Sequence, residues 1–260
     1  MRNIKLILEY DGSDFFGFQR QPKHRTVQEA LETALSTFFK KKMKITAASG
    51  RTDTGVHAEY QVVNFKTTDG RRLDQMQRAL NALLPKTVAV KKIAEAPDDF
   101  HARYSAKAKT YEYCIWNSPV RSPLLAKRSL HIASKLNIKK MKQAAAFLTG
   151  TKDFSSFCAS RGREDKALHR KNTRTIYRLQ IKRSGSLLRF QIEADGFLYH
   201  MVRNMLGALI EVGRGKLDPE AIQEILAAKD RRMAPATVPA NGLTLKAVVY
   251  GPFGKRSKVV

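Results

Sequence analysis

The order in which two hydrophobic periodicities alternate constrains the fold of this chain more than any other feature of its sequence. In the first part, apolar residues recur at every second position in some segments, which indicates strands, and at helical spacing in others. Strands are predicted over residues 3–10, 43–47, 60–65 and 87–94, and helices over 26–39 and 73–84. The resulting order, β-α-β-β-α-β, is typical of the split βαβ unit.

The second part of the chain repeats this alternation without obvious residue identity to the first. Strands are predicted over 111–115, 175–181, 188–194 and 243–250, and helices over 138–148, 200–212 and 219–228. We therefore predict an α+β fold of two RRM-like, split-βαβ halves, each with an antiparallel sheet and helices on one face, and with a cleft between the halves. The predicted boundary near 96–106 gives an N-terminal half over 1–105 and a C-terminal half over 106–260.

The charge balance points to a polyanionic partner. The chain has 48 lysines and arginines against 23 acidic residues, a formal charge of +25, and these basic residues occur in both halves. A hydrophobic content of 43% excludes a purely disordered basic arm, so a folded nucleic-acid-binding protein fits best. A basic insertion loop is predicted at about 151–172, and its most basic part, 161–174, is either a solvated loop or an arm that grips phosphates.

Other sequence features exclude several classes of protein. Cys114 and Cys158 lack metal-ligand spacing, so neither a disulfide framework nor a zinc site is expected, and a reducing cytoplasm is the predicted location. No signal peptide or membrane span is recognisable. The chain contains neither a P-loop nor a dinucleotide-binding glycine motif, so no cofactor and no metal are expected.

The short polar stretch "ASGRTDTGVHA" over residues 48–58 holds the strongest candidate for chemistry, Asp53. An aspartic-protease reading of "DTG" fails because that mechanism needs a second such acid, and Arg51 would keep Asp53 ionised. Two interpretations remain open from spacing alone. Asp53 is a turn residue that bonds its own backbone, or it is an activated carboxylate presented from a tight turn.

The motif "GRTDTGVHA" also resembles the signature of the tRNA pseudouridine synthase A family. Further blocks resemble that family in the same order, namely "YDGSDFFGFQRQ", "NALLP", "FHARYSAKAKTYEY", "DGFLYHMVRNMLGAL" and "NGLTLKAVVY". These blocks span nearly the full length of the chain. The resemblance implies an isomerase that converts uridines 38, 39 and 40 in the anticodon arm of tRNA to pseudouridine, without a cofactor and as a homodimer.

The resemblance also implies roles for four residues. Asp53 corresponds to the catalytic aspartate, Tyr111 to the tyrosine that stacks on the target base, and Arg51 to an arginine that helps hold the flipped uridine. Arg203 resembles the basic residue that pairs with the aspartate. A flipped base needs an aromatic face and a side chain to fill the gap that it leaves, so these residue types suit the task.

Purely structural roles are the alternative for several of these residues. Tyr111 is equally a strand residue that packs in the core beside Tyr113, and the histidines at 57, 101 and 200 are expected to be structural. The alternative function is a non-catalytic RNA-binding protein built from RRM-like halves. Such a protein has no reason to place an acid where RNA phosphates approach, so Asp53 discriminates between the two functions.

Overall fold

The structure is a computed structural model that describes residues 1–159 and 172–251. These residues form two compact units. The first combines Met1–Lys107 with residues 244–251, and the second comprises Ala108–Leu243. Both contain helices and mostly antiparallel strands, so the predicted α+β class is confirmed.

The helices and strands follow the predicted order closely. The first elements are β1 (Arg2–Tyr10), α1 (Val27–Phe39), β2 (Ala47–Ala48), β3 (His57–Thr67), α2 (Leu73–Leu83) and β4 (Val88–Ala96). Next come β5 (Ala108–Asn117), β6 (Leu130–Ile132), α3 (Ile138–Ala146), β7 (Gly150–Asp153), β8 (Thr173–Ser184) and β9 (Leu187–Ala194). The last are α4 (Met201–Gly213), α5 (Ala221–Ala228) and β10 (Leu243–Val249).

The sheet of the first unit has the strand order β4-β1-β3-β10. Strand β1 lies antiparallel to both β3 and β4, and β2 pairs with β3. Strand β10 runs parallel to β3 through the pair Thr244 and His57, so the chain returns to this sheet after the second unit. The pair Tyr10 and Ala58 is the last between β1 and β3, so the loop after β1 and the turn before β3 leave the sheet at the same end.

Apolar residues at helical and strand spacing build the core of this unit. Ile4, Leu6 and Leu8 on β1 are fully buried, as are Leu31 and Leu35 one turn apart on α1. Each such side chain contributes about 1.5 to 3 kcal/mol through the apolar surface that it removes from water. The predicted start of α1 is confirmed, because the buried hydroxyl of Thr26 accepts a hydrogen bond from the Glu29 amide at 3.3 Å.

The sheet of the second unit has the order β5-β9-β8-β7, with antiparallel pairing throughout, and β6 adds to β5 in parallel. Helix α4 is buried along most of its length, and it packs against α3. The two helices approach closely at Gly213, where a Cβ would lie 2.6 Å from the Met141 sulfur. Helix α4 is therefore the central helix of this unit.

Some sequence predictions were wrong in detail. The helix predicted at 219–228 with Asp218 as its N-cap begins only at Ala221, because the residues before it form a turn in which the Ala221 amide bonds the Asp218 carbonyl at 3.1 Å. The Asp218 carboxylate instead contacts Lys140 Nζ at 3.1 Å. Strands β6 and β7 had no periodicity long enough to predict them.

The predicted basic insertion loop is described only in part. Its first residues form β7 and a single 3-10 turn at Ser155–Phe157, and β8 begins at Thr173. Residues 160–171, which include most of the basic stretch 161–174, lie outside the described residues. Across the described ranges, no helix is long and apolar enough to cross a membrane.

Candidate active site

The segment that carries Asp53, called here the Asp53 turn (residues 49–56), connects β2 to β3 at the end of the first unit's sheet. Facing it is the loop between β1 and α1, called here the aromatic loop (residues 11–25). Asp53 is half-buried, whereas Arg51 is exposed. The two segments meet because antiparallel pairing brings the end of β1 beside the start of β3.

Backbone hydrogen bonds join the aromatic loop to the Asp53 turn. The Phe18 amide donates to the Thr52 carbonyl at 3.0 Å, and the Gly55 amide donates to the Phe15 carbonyl at 3.3 Å. Inside the turn, the Val56 amide donates to the Asp53 carbonyl at 3.1 Å. The backbone on either side of Asp53 is therefore held by the neighbouring loop as well as by the turn itself.

Two glycines of the aromatic loop permit this close approach. A Cβ on Gly12 would collide with the Val56 carbonyl oxygen. A Cβ on Gly17 would lie 2.7 Å from the Thr52 carbonyl oxygen and 3.1 Å from the Asp53 carbonyl carbon. Gly17 also has a φ of +81°, a conformation that disfavours any side chain. Both glycines are therefore needed to bring the loop against the turn.

Buried side chains anchor the turn from the sheet below. Tyr10 Oη lies 2.7 Å from Thr52 Oγ1, so the residue before Asp53 is tied to the last residue of β1. Burial raises the pKa of the Tyr10 phenol well above its ordinary value, and the hydrogen bonds to Thr52 and Gln61 oppose that rise. Gln61 Nε2 also donates to the Gly50 carbonyl at 2.8 Å. The phenol therefore stays protonated at physiological pH and acts as a fixed anchor.

His57 has a structural place in this site, as the sequence predicted. The buried ring accepts a hydrogen bond at Nδ1 from the Gly12 amide at 3.1 Å. Asp11 Oδ1 is 3.2 Å from the same nitrogen. His57 fixes the first residues of the aromatic loop against β3.

The other two predicted site residues lie in the second unit. Tyr111 is on β5, is 8% exposed and is paired across the sheet with Ile192. Its ring meets the edge of Phe197 with centroids 5.1 Å apart and an interplanar angle of 89°. A T-shaped contact of this kind stabilises the ring position by about 0.5 to 1.5 kcal/mol beyond burial. The ring is thus held in one orientation by the segment that precedes α4.

Arg203 is the third residue of α4 and is half-buried. Its Nε donates to the Val238 carbonyl at 2.9 Å. The guanidinium is close enough to Tyr113 for its charge to oppose the rise that burial causes in the pKa of that phenol. A cation in the first turn of a helix is electrostatically unfavourable, so the carbonyl compensates part of that cost.

A network that sequence reasoning missed holds the segment that bonds Arg203, residues 234–239. Arg231 donates to the carbonyls of Ala234 at 2.6 Å and Pro235 at 3.0 Å, and to the side chains of Asn204 and Thr237, each at 3.2 Å. Asn204 is fully buried beside Arg203 on α4. In the sequence, the only sign that Asn204 matters is its place in the block "HMVRN", and nothing there links Asn204 to Arg231.

The segment 234–239 also touches α4 directly. A Cβ on Gly207 would collide with the Ala236 carbonyl oxygen, so this helix position has room only for glycine. Asn204 Nδ2 donates to the Phe157 carbonyl at 2.8 Å, which extends the network to the 3-10 turn before β8. Arg203 is therefore positioned by a rigid, hydrogen-bonded segment.

The structure thus places Asp53 and Arg51 in the first unit and Tyr111 and Arg203 in the second. Over residues 1–159 and 172–251, no cluster of three or more histidine, cysteine or acidic side chains is arranged to hold a metal ion. What the arrangement in the first unit offers is one half-buried carboxylate in a turn whose backbone is fixed on both sides.

Comparisons with known proteins agree on one family. A family model described as tRNA pseudouridine synthase matches residues 6–105 and 144–251, which include Asp53, Arg51 and Arg203. The tRNA pseudouridine synthase A of Acetivibrio thermocellus is 43% identical over 250 residues, covering 96% of this chain and 100% of the relative. The protein of that name from Chromobacterium violaceum is 46% identical over 247 residues, covering 95% of this chain and 92% of the relative.

Proposed function

The chain belongs to the tRNA pseudouridine synthase family, an isomerase family that acts on tRNA uridines, and we propose that Asp53 is its catalytic carboxylate. We further propose that the uridines are those at positions 38, 39 and 40 of the anticodon stem-loop. The observation that carries the proposal is the Asp53 turn, a single carboxylate held in fixed backbone geometry inside a chain of formal charge +25.

The reaction moves a base from one attachment to another. The bond between uracil N1 and ribose C1′ breaks, the base turns, a bond forms between C5 and C1′, and the proton on C5 leaves while N1 gains one. Atoms and electrons balance without an oxidant, a reductant or a nucleotide cofactor. The Asp53 carboxylate suits this chemistry in one of three ways. It attacks ribose C1′, it attacks C6 of the uracil, or it accepts the proton from C5.

Rigid placement supports the role of Asp53. Effective catalysis requires the reacting group to be held close to its productive position, and misplacement by about 1 Å can reduce a rate about a hundredfold. The bonds from Phe15 and Phe18 to the turn, and that from Tyr10 to Thr52, supply such placement. A turn that served only to connect two strands would not need three independent anchors.

Base flipping gives Arg51 and Tyr111 their proposed roles. A uridine in a stem is unreachable until it is extruded, at a cost of a few kcal/mol. Arg51 is exposed and only two residues from Asp53, so we assign to it the place that the uracil leaves. Tyr111, whose orientation is fixed by Phe197, is proposed to stack on the flipped base.

Arg203 is proposed to balance the charge of the catalytic carboxylate. Its position at the start of α4 disfavours a cation, which makes a nearby anion stabilising. The hydrogen bond from Nε to the Val238 carbonyl orients the guanidinium, a planar group with five N–H donors. Replacing Arg203 with lysine would keep the charge but lose this planar, oriented geometry.

The test of the function is tritium release from tRNA labelled at uridine C5. Wild-type protein is expected to release tritium, and Asp53→Asn to bind tRNA but to release none above background. Asp218→Asn is a matched control, since Asp218 is exposed and contacts only the surface Lys140 among the ion pairs of the described chain. Release by Asp53→Asn at the wild-type rate would refute the role of Asp53, and no release by wild type would favour the RNA-binding alternative.

The remaining specifics are also proposals. The family resemblance implies a homodimer acting on the anticodon arm in the cytoplasm, and the net charge of +25 suits a polyanionic substrate. Pseudouridine mapping on tRNA from cells with and without the gene would identify the modified positions. Light scattering on the purified protein would give twice the mass of the 29.3 kDa chain for a dimer.

A further inference from the structure

The aromatic loop presents one large apolar side chain to solvent directly beside the Asp53 turn. Phe15 and Phe18 are 1% exposed, whereas Phe16 between them is 47% exposed. Its ring stacks on His24, with centroids 4.3 Å apart and planes inclined by 28°. An aromatic ring that is half exposed and supported in this way offers a flat apolar surface on which another ring can stack.

The loop holds this stacked pair in place by several hydrogen bonds. The Phe16 amide donates to the Arg25 carbonyl at 2.9 Å, and Gln21 Nε2 donates to the Phe16 carbonyl at 2.8 Å. A bridge between Gln21 and His24 closes the intervening turn, in which Lys23 has a φ of 62°. The ring therefore forms a fixed platform rather than a mobile side chain.

The platform is close to the proposed catalytic residue. A Cβ on Gly17 would lie 3.1 Å from the Asp53 carbonyl carbon. Adding a Cα–Cβ bond and one Cα–Cα step puts the Phe16 Cα within roughly 8.5 Å of that carbon. Stacked nucleotides are spaced about 3.4 Å apart along a strand, so the separation of these two backbone atoms is that of two or three nucleotides.

The surroundings match the chemistry of RNA. Lys23 and Arg25 are exposed on the same loop, and the Arg25 guanidinium lies 5.0 Å from the centroid of the buried Phe15 ring. Cations that can contact phosphate beside an aromatic face on which a base can stack are the two components of single-strand recognition. A protein-binding surface would need a larger apolar area than one ring.

We propose that the Phe16–His24 pair is a nucleobase-stacking site for the substrate tRNA, which receives a base within three nucleotides of the uridine that Asp53 acts on. This inference rests on the proposed function and adds a substrate contact that is separate from Tyr111. Extrusion of the target uridine disturbs the stack around it, and the Phe16 ring gives a stacking partner to a base outside the gap that Arg51 fills.

The experiment compares Phe16→Ala, Phe16→Leu and Phe16→Tyr in the tritium-release assay with full-length tRNA. Base stacking on an aromatic side chain is worth about 1 to 3 kcal/mol, which corresponds to a roughly 5-fold to 150-fold rise in KM for the alanine and leucine variants. Phe16→Tyr keeps the ring and is expected to stay within twofold of wild type. Thermal melting of each variant checks that the loop remains folded.

Tyr104→Ala is the matched control. Tyr104 is 68% exposed in the same unit and stacks on His101 with centroids 4.4 Å apart, so it is the same kind of pair elsewhere. The neighbouring Ala102 amide bonds Asn64 Oδ1, and Asn64 is seven residues along β3 from His57, or about 23 Å from the active end. Its KM is expected to stay within twofold of wild type.

A direct readout places 2-aminopurine at each of the three nucleotides on either side of the target uridine. At one of these positions, wild type and Phe16→Tyr are expected to quench the fluorescence more than Phe16→Ala does. The inference is overturned if Phe16→Ala leaves KM within twofold of wild type, if Phe16→Tyr is as impaired as Phe16→Ala, or if Tyr104→Ala has the same effect. Each result is read with active wild-type protein, so it is distinct from failure of the proposed function.

Discussion

Substitution of Gly17 by alanine is the most direct test of whether the aromatic loop positions Asp53. The new Cβ would lie 2.7 Å from the Thr52 carbonyl oxygen, about 0.7 Å closer than ordinary van der Waals contact. Because the clash is with backbone on both sides, the turn must move. A φ of +81° adds about 1 to 2 kcal/mol of backbone strain for alanine, and overpacking adds about 1 to 3 kcal/mol.

The expected result is a loss of both stability and turnover. The free energy of unfolding should fall by about 2 to 5 kcal/mol in urea titrations. A displacement of several tenths of an ångström should lower kcat by about tenfold to a hundredfold, measured well below the melting temperature. Binding of tRNA should change much less, because the phosphate contacts lie on other side chains.

Gly150→Ala provides the matched control for strain alone. Gly150 has a φ of +87°, and a Cβ there would meet nothing within 4 Å. Its substitution should cost about 1 to 2 kcal/mol of stability and leave kcat unchanged. If Gly17→Ala retained a kcat within twofold of Gly150→Ala, the view that the aromatic loop fixes the catalytic carboxylate would be wrong.

Two further predictions concern the second unit and the response to alkali. Arg231→Met should lower kcat roughly tenfold, or about 1.4 kcal/mol in activation free energy, because the segment that bonds Arg203 loses its support. Arg232→Met removes only a surface pair with Asp230 and should leave kcat unchanged. Equal effects of the two variants would contradict this prediction. Burial raises the pKa of Tyr10 and Tyr113 above the ordinary 10.0, so above pH 10 the unfolded chain loses these protons while the folded chain keeps them. Stability is therefore full below pH 10 and should fall by about 1.4 kcal/mol per pH unit for each tyrosine, measured by urea unfolding at pH 9, 10 and 11; a slope that Tyr113→Phe leaves unchanged would count against this reasoning.

Much of the secondary structure could be predicted from local patterns. The capping pair of Thr26 and Glu29 located the start of α1, and alternation located β1, β8 and β9. The start of α5 was placed two residues early, because Asp218 and Pro219 are favourable residues for a helix start in any context. Only the bond of Asp218 to Lys140 and the preceding turn decide against that start.

The candidate site, too, could be predicted only in part from the sequence. Asp53 could be identified from one punctuated motif, because a lone acid in a glycine-bounded basic turn is a local signal. The exposure of Phe16 could not, since Phe15, Phe16 and Phe18 look alike in the sequence. Which ring faces solvent depends on how the loop packs against the turn.

The sequence by itself determined the alternation of strands and helices, the charge of the chain and the identity of its candidate carboxylate. Each of these depends on residues within a few positions of one another. The tertiary structure alone decided that Tyr10 anchors Thr52, that Arg231 supports the segment bonding Arg203, and that β10 returns to β3. The bonds from Tyr10 to Thr52 and from Arg203 to Val238 join residues 35 or more positions apart in the chain. Such contacts are fixed only when strand register and helix packing bring distant residues together.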